Sequence, residues 1–224
     1  MARPVEVEVR GVRPPTSPPP SSTTPPPPPP PPYPQHPTAP PSPAPLPPAS
    51  PPVSCILSRA RSFLSPSLLS DSEDFGTPQI VRYAPGQKFD LHYDWYPSPQ
   101  PLSGRRGLSF NRVASFFVYL DESEASLKKG GERDGDGDGD VGGETWFPYI
   151  ETRGEGKGNG NGGKKWRKHE DGGTAFRPRR GNAVFWVNLH GNGTGDERVQ
   201  HAGLPLREGV KTAMNIWPRR VYGG

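Results

Sequence analysis

Apolar residues are not spread evenly along this 224-residue chain but cluster in seven short runs beyond residue 78. Each run is rich in β-branched and aromatic residues and is bounded by Gly, Pro or Asp, a pattern typical of strands. The runs are QIVRY (79–83), KFDLHYDW (88–95), VASFFVYL (113–120), ETWF (144–147), AVFWVNL (183–189), RVQHA (198–202) and VKTAMNIW (210–217). Seven such runs predict a β-sandwich or barrel rather than alternating βα units.

The segments before and between these runs are predicted to be mostly irregular. Residues 56–75 predict a short helix at their start, which Pro66 would break. The low-complexity segments 128–143 and 153–165 fall between strands, where long insertions add little to the entropy of loop closure. Both segments are predicted to be disordered loops on a β scaffold.

Composition divides the chain into two regions. Most of its 34 prolines precede residue 53, including an unbroken run from Pro25 to Pro32. Proline lacks the backbone donor and has a fixed φ, so this stretch cannot join the interior of a helix or a sheet. We therefore predict a disordered, polyproline-II-like tail over residues 1–52 and one domain over residues 53–224, which is long enough for a hydrophobic core.

Charge, cysteine content and hydropathy exclude several classes of protein. The net charge of +4 comes partly from loop residues such as GKKWRK (163–168), and a solvated loop explains it better than nucleic-acid binding, because no base-stacking motif accompanies it. The single cysteine, Cys55, excludes an intramolecular disulfide and a cysteine-based zinc cluster. No apolar run approaches the ~20 residues of a membrane span, and the N-terminus lacks the apolar region of a secretory signal. These features predict a soluble protein.

The stretch FDLHYDWYP (89–97) contains the strongest candidate for chemistry. His92 and Asp94 are two residues apart, and on a strand such residues point to the same face, where both can bind one metal ion. By itself this spacing is a weak signal, because it arises often by chance. One imidazole and one carboxylate also leave a divalent metal short of a third protein ligand.

The third ligand must come from the remaining histidines. His36 lies in the proline-rich tail and His169 in a Gly/Lys-rich loop, so neither is held rigidly. His190 is followed by GNGTGD, which indicates a turn and a histidine in a loop. His201 ends a short predicted strand, and Lys211 follows on the next strand, where a lysine is costly to bury unless an anion pairs with it. His201 is therefore the predicted third ligand.

Two histidines and one carboxylate form the facial triad that suits non-haem Fe(II) and leaves positions for a chelating cosubstrate and O₂. The motifs around these residues are RYAPGQKFDLHYDW (82–95), GGETWFP (142–148) and HAGLPLREGVKTAMNIW (201–217). Together they resemble the 2-oxoglutarate- and Fe(II)-dependent dioxygenases, specifically the prolyl 4-hydroxylase alpha-subunit-like family. The resemblance implies an all-β core folded as a double-stranded β-helix (jelly roll) with minor helices, which agrees with the seven predicted strands.

The resemblance also implies roles for single residues. The family's iron ligands are matched by His92, Asp94 and His201. Lys211 matches the basic residue that pairs with the distal carboxylate of 2-oxoglutarate. Tyr83 and Tyr119 match tyrosines that line the cosubstrate or substrate pocket, although a buried strand tyrosine is often part of the core.

The implied reaction is hydroxylation of a C–H bond with Fe(II), 2-oxoglutarate, O₂ and L-ascorbate, with release of succinate and CO₂. By resemblance the substrate is peptidyl proline, as for a procollagen-proline 4-dioxygenase, so the expected partner is a protein or peptide. The family often works in the endoplasmic reticulum, but no entry signal is visible in this sequence, which leaves cytosol or nucleus open.

Two other functions remain open at this level. The chain can be a proline-rich interaction protein whose tail binds SH3, WW or profilin-type partners while its jelly-roll domain is inactive. It can also be a zinc- or manganese-bound cupin-like protein. The triad together with Lys211 favours the oxygenase, because the alternatives give Lys211 no role. Succinate formation from 2-oxoglutarate in the presence of Fe(II) distinguishes the three.

Overall fold

The structure is a computed structural model, and it describes residues 41, 43–64, 66, 68–70, 73–121, 142–153 and 165–223. Residues 1–40 and most of the two predicted loops, 128–143 and 153–165, lie outside the described residues. The predictions made for them therefore stay predictions.

The described residues form two large antiparallel sheets and one small one. The first has the order β1-β2-β12-β6-β10, from β1 (Ala44–Pro45), β2 (Gln79–Tyr83), β12 (Lys211–Ile216), β6 (Ala114–Tyr119) and β10 (Ala183–Val187). The second has the order β3-β11-β7-β9-β8, from β3 (Phe89–His92), β11 (His201–Gly203), β7 (Thr145–Phe147), β9 (Thr174–Phe176) and β8 (Trp166–Lys168). The third has the order β13-β5-β4, from β13 (Arg219–Tyr222), β5 (Ser109–Arg112) and β4 (Gln100–Pro101).

The central strand β6 explains how the core is built. Its residues Phe117 and Tyr119 belong to the cluster between the two large sheets, which also contains Trp186 and Phe147. The alternate residue Phe116 belongs to a second cluster, on the outer face of the first sheet. Because successive side chains of a strand point to opposite faces, a strand covered on both faces is apolar along most of its length, and in β6 only Ser115 is polar before the terminal Tyr119.

The path of the chain between the sheets is that of a jelly roll. From β2 onward the chain passes from the first large sheet to the second and back, so that strands distant in sequence become neighbours. β12, for example, pairs with β2 on one side and β6 on the other. The prediction of an all-β, double-stranded β-helix core is confirmed.

Several predicted strands differ in their boundaries from those observed. The run 88–95 ends its strand at His92, so Asp94 lies just after β3 rather than within it. The run 198–202 starts with a 3₁₀ turn, Glu197–Val199, and His201 begins β11 instead of ending a strand. The reason is tertiary, because β11 pairs on both sides, with β3 and with β7. Six further short strands, β1, β4, β5, β8, β9 and β13, were not predicted from the apolar runs.

The packed domain begins earlier than the predicted boundary at residue 52. Helix α1 spans Pro51–Phe63 and starts with two prolines, which suit a first helical turn because its N–H groups have no partner within the helix. It ends before Pro66, as predicted, and packs Ala60 on the outer face of the first sheet. Upstream of it, β1 adds an edge strand to that sheet. No helix in the described part of the chain is long and apolar enough to cross a membrane.

Candidate metal and cosubstrate site

Strand pairing brings the two histidines of the predicted triad together. His92 is the last residue of β3 and His201 the first of β11, and they lie opposite each other in the antiparallel register. Their ring centroids are 4.2 Å apart. Asp94 follows two residues after His92, where the main chain leaves the strand and its carbonyl accepts a hydrogen bond from Arg112 Nη1 at 3.3 Å. Residues 109 positions apart in sequence thus become neighbours.

The ligand atoms of the triad converge on one point. His92 Nε2 lies 3.8 Å from Asp94 Oδ1, and His201 Nε2 lies 4.0 Å from Asp94 Oδ2. One nitrogen from each histidine and one carboxylate oxygen all lie within 4.8 Å of one another. Such a set of two imidazoles and one carboxylate fits a divalent transition metal that keeps open positions.

Backbone carbonyls set the orientation of both imidazole rings. His92 Nδ1 lies 2.7 Å from the carbonyl oxygen of Asp90, and His201 Nδ1 lies 3.0 Å from that of Val199. Because a carbonyl only accepts, each Nδ1 carries the proton and donates it. The Nε2 lone pair is left for a metal, an arrangement typical of metal-binding histidines. Burial lowers the pKa of His201 to about 4, against the opposing effect of Asp94, so this ring is neutral at physiological pH.

Two hydrogen bonds hold the carboxylate of Asp94 in place. Ser115 Oγ donates to Asp94 Oδ2 at 2.6 Å, and Trp217 Nε1 donates to the same oxygen at 3.0 Å. Burial by itself raises the pKa of Asp94, but the electrostatic interaction with the His201 imidazole and these hydrogen bonds outweigh it, and the pKa is lowered. The carboxyl group is therefore ionised, with Oδ1 on the side of His92 and Oδ2 on the side of His201.

A cavity of about 240 Å³ opens beside the triad. Its wall contains all three triad residues together with Tyr83, Thr145 and Trp186. The sequence-based placement of Tyr83 at the pocket is thus matched by the structure. Tyr119 lies elsewhere: its side chain is buried in the core, and its hydroxyl oxygen lies 2.8 Å from Thr145 Oγ1. Tyr119 therefore stands behind Thr145 and supports the wall without forming it.

Lys211 is fully buried beside this cavity, with 1 % of its surface exposed. It begins β12 opposite Tyr83, and its Nζ donates to the Gly143 carbonyl at 2.7 Å. The same Nζ lies 4.1 Å from the centre of the Tyr83 ring. Burial lowers the pKa of Lys211 to about 7, and the nearby Glu144 raises it only in part. The carboxylate of Glu144 is itself bonded to Arg167 Nε at 2.8 Å.

The surroundings of Lys211 fit an anionic ligand. A buried ammonium group is costly unless an anion compensates it, and here the described residues supply one carbonyl and aromatic faces instead. Lys211 does not itself line the cavity, but its Nζ lies over the ring of Tyr83, which does.

Several residues at the site were not singled out as functional from the sequence. Trp217 is a buried residue at the end of an apolar run, and its indole N–H also holds Asp94. Ser115 was not considered, although a serine within the apolar run VASFFVYL is a visible signal. Arg112 stacks its guanidinium 3.7 Å from the Trp217 ring centre and lines the cavity with it. Thr145 was noted only as part of the motif GGETWFP and was not predicted to line a pocket.

The sequence of this chain is similar to those of known proteins. Residues 78–219 match the profile of the 2OG-Fe(II) oxygenase superfamily. Curated relatives include probable prolyl 4-hydroxylase 6 of Arabidopsis thaliana, 32% identical over 139 residues, which are 62% of this chain and 40% of that protein. Prolyl 4-hydroxylase subunit alpha-2 of Gallus gallus is 30% identical over 139 residues, 62% of this chain and 18% of that protein. This chain therefore spans less than half the length of these relatives.

A solved structure has the same fold. The viral collagen prolyl hydroxylase of Paramecium Bursaria Chlorella virus-1, in its 2OG complex, superposes with a TM-score of 0.51 at 24% identity, covering 78% of this chain and 75% of that chain. The matched profile includes all three triad residues and Lys211, and it covers most of the described domain. Sequence and geometry thus agree, and the chain belongs to the 2OG-Fe(II) oxygenase superfamily.

Proposed function

We propose that this chain is an Fe(II)- and 2-oxoglutarate-dependent dioxygenase that hydroxylates peptidyl proline and releases succinate and CO₂. Family membership implies Fe(II), 2-oxoglutarate and O₂. The observation that carries the proposal is the combination of the convergent triad with the buried Lys211 beside it. Proline as the target is supported by the names of the relatives, which are prolyl 4-hydroxylases.

In this proposal His92, Asp94 and His201 are the metal ligands. The metal supplies activation of O₂ coupled to the decarboxylation of 2-oxoglutarate. The chain contributes imidazoles whose rings are fixed by backbone carbonyls at Nδ1, so that Nε2 of each ring is left for the metal. It also contributes a carboxylate whose second oxygen is held by Ser115 and Trp217.

Lys211 and Tyr83 form the proposed 2-oxoglutarate side of the site. The Lys211 ammonium group now donates to the neutral Gly143 carbonyl. On ligand binding it would donate instead to the negatively charged ligand carboxylate, in a site shielded from water, where such a bond is strong. The hydroxyl of Thr145 lines the cavity on this side, held by Tyr119. In this arrangement Tyr119 acts through Thr145 rather than by touching the ligand.

The cavity wall also has features that suit a peptide with a proline ring. Phe89, Tyr93 and Trp217 contribute aromatic surface there, and Arg112 contributes a cation. Aromatic-lined grooves are a common way to bind proline, whose ring packs flat on them without loss of much conformational entropy. These aromatic residues of the cavity wall therefore favour peptidyl proline as the substrate rather than a small polar molecule.

Two further parts of the proposal rest on family resemblance and composition. L-Ascorbate is the proposed reductant that keeps the iron as Fe(II) over many turnovers. The proline run Pro25–Pro32, which lies outside the described residues, is proposed as a ligand for SH3, WW or profilin-type partners. The alternative of an interaction protein with an inactive domain is not favoured, because it leaves the converging triad and the buried lysine without a role.

The deciding experiment measures succinate from 2-oxoglutarate, and hydroxyproline in a proline-rich peptide, with Fe(II), ascorbate and O₂ present. Wild type is expected to form both products in equal amounts. His201→Ala is expected to abolish both, whereas His190→Ala is the matched control, because His190 is an exposed loop histidine. A folded wild-type protein that binds Fe(II) but forms no succinate would refute the proposal.

A further inference from the structure

Part of the chain's own proline-rich segment lies at the mouth of the cavity. Pro41 and Pro43 belong to the same cavity wall as His92, Asp94 and His201. Pro41 is buried, whereas Pro43 is exposed, as expected for a segment that enters the cavity from its rim. Two prolines of the chain itself therefore form part of the cavity wall next to the triad.

The strand register explains why these prolines face the cavity. In β1, Ala44 pairs with Ile80 and Pro45 with Gln79 of β2. The pairing ends at Ala44, and beyond it Pro43 and Pro41 lie in the same cavity wall as Val81 and Tyr83 of β2. Residues opposite each other in a pair of strands share a face. Gln79, Val81 and Tyr83 all line the cavity, so prolines at alternate positions are presented to it.

The alternating prolines also suit an edge strand. The N–H groups of a strand point alternately to its two sides, and Leu46 N donates to the Pro78 carbonyl at 2.8 Å on the side of β2. The prolines at 41, 43 and 45 fall at the other positions, where an edge strand needs no donor. The sequence PSPAPL is therefore compatible with docking on β2 by its main chain while its prolines remain available.

We propose that this enzyme hydroxylates its own proline-rich segment in cis, at Pro41 or Pro43. The inference rests on the proposed function. A ring C–H bond of the proline is replaced by C–OH, with one atom of O₂ entering the ring. The other oxygen atom enters succinate as 2-oxoglutarate loses CO₂, so 2-oxoglutarate supplies the remaining electrons. Tethering gives these prolines an effective concentration on the order of millimolar, above that of most free peptides.

The test uses the full-length chain prepared without 2-oxoglutarate and loaded with Fe(II). It is incubated with 2-oxoglutarate under ¹⁸O₂, and the segment is analysed by fragmentation mass spectrometry. We expect one ¹⁸O atom on Pro41 or Pro43 and none in His201→Ala. A tenfold dilution should leave the rate constant unchanged, because the reaction is intramolecular. A mass-tagged His201→Ala chain added to wild type should stay unlabelled during the time in which wild type labels itself.

A free peptide with the sequence TAPPSPAPLPP (38–48) separates failure of this inference from failure of the proposed function. If the peptide is hydroxylated but the chain's own Pro41 and Pro43 stay unmodified, the inference is overturned and the proposed function stands. If neither is modified and no succinate forms, the proposed function fails and the inference with it. Label found only at other prolines, or a rate that rises with protein concentration, also overturns the inference.

Variants of the segment provide an independent readout. Replacing both Pro41 and Pro43 by Ala should remove the self-label and lower the KM of the free peptide, because the tethered competitor is gone. Pro48→Ala is the matched control, since Pro48 is an exposed proline of the same segment that does not line the cavity. An unchanged peptide KM in a folded double variant would contradict occupation of the site by this segment.

Discussion

Replacement of Lys211 by Met gives the sharpest test of the 2-oxoglutarate site. Met has a similar length and apolar stem but no charge, so it can fill the same buried space between Tyr83 and Phe117. A dicarboxylate would then have an unpaired carboxylate in a site shielded from water, which costs about 2–5 kcal/mol. The KM for 2-oxoglutarate should therefore rise by at least about 30-fold, since each factor of ten is about 1.4 kcal/mol. Fe(II) affinity should change little, because Lys211 is not a ligand in this proposal.

The pKa of Lys211 adds a pH signature. In the ligand-free fold it is lowered to about 7, from 10.5 in the unfolded chain. Between these values the unfolded chain binds the extra proton and the folded protein does not, so the free energy of unfolding rises with pH across this window. Below about pH 7 the folded protein carries the full penalty of a buried charge. At ~1.36 kcal/mol per pKa unit, that penalty is on the order of 5 kcal/mol.

Binding of 2-oxoglutarate should raise the pKa of Lys211 again. The ligand carboxylate favours the charged lysine, so binding above pH 7 requires uptake of a proton. The affinity of wild type for 2-oxoglutarate should therefore fall by up to about tenfold per pH unit between pH 7 and 9. Lys211→Met should show neither this slope nor the rise of stability with pH.

The assay is the 2-oxoglutarate KM at pH 7, 8 and 9, with thermal unfolding of the ligand-free protein at the same pH values. Lys168→Met is the control, because Lys168 is an exposed lysine on β8. An unchanged KM and an unchanged pH slope in a folded, iron-loaded Lys211→Met protein would refute the role of Lys211.

Three further outcomes are expected. His201→Ala should abolish Fe(II) binding at micromolar metal in a calorimetric titration, whereas His190→Ala should bind almost as wild type does; the reverse result would move the third ligand to His190. Ser115→Ala removes the 2.6 Å hydrogen bond to Asp94 and should weaken Fe(II) binding about 10- to 100-fold, and wild-type affinity would show that this bond does not position the ligand. Deletion of residues 1–40 should leave the unfolding temperature unchanged, whereas deletion of 1–52 removes β1 and the start of α1 and should lower stability by about 1–3 kcal/mol, measured by urea unfolding. Equal stability of the two truncated proteins would place the domain boundary after residue 52.

Much of the fold could be predicted from local patterns. Short runs of β-branched and aromatic residues indicate strands because such side chains pack well on a pleated, half-buried surface, and the run around Phe117 is recognisable even without its partners. The spacing of His92 and Asp94 and the unexpected lysine at 211 are local features as well. These features indicated candidates for a metal site, whereas the iron, the 2-oxoglutarate and the role of Lys211 were implied by the resemblance of the surrounding motifs to a known family.

Other features depended on pairing between distant residues. The sequence indicated that His201 was near a strand end but not that it faces His92, since register is decided by contacts along the whole of two strands. The contacts of Trp217 and Tyr119 could not be predicted for the same reason. An indole or a phenol in an apolar run has a polar atom whose partner lies elsewhere in the chain, here Asp94 and Thr145.

The proline-rich segment shows most clearly where the sequence stops being informative. The rule that proline cannot join a sheet holds for the interior, where every N–H is needed. The sequence by itself therefore predicted a tail up to residue 52. Only the tertiary structure offered β2 as a free edge, where Ala44 and Pro45 pair and, just upstream, Pro41 and Pro43 line the cavity. Which edge is open is a property of the assembled sheet, and no local pattern encodes it.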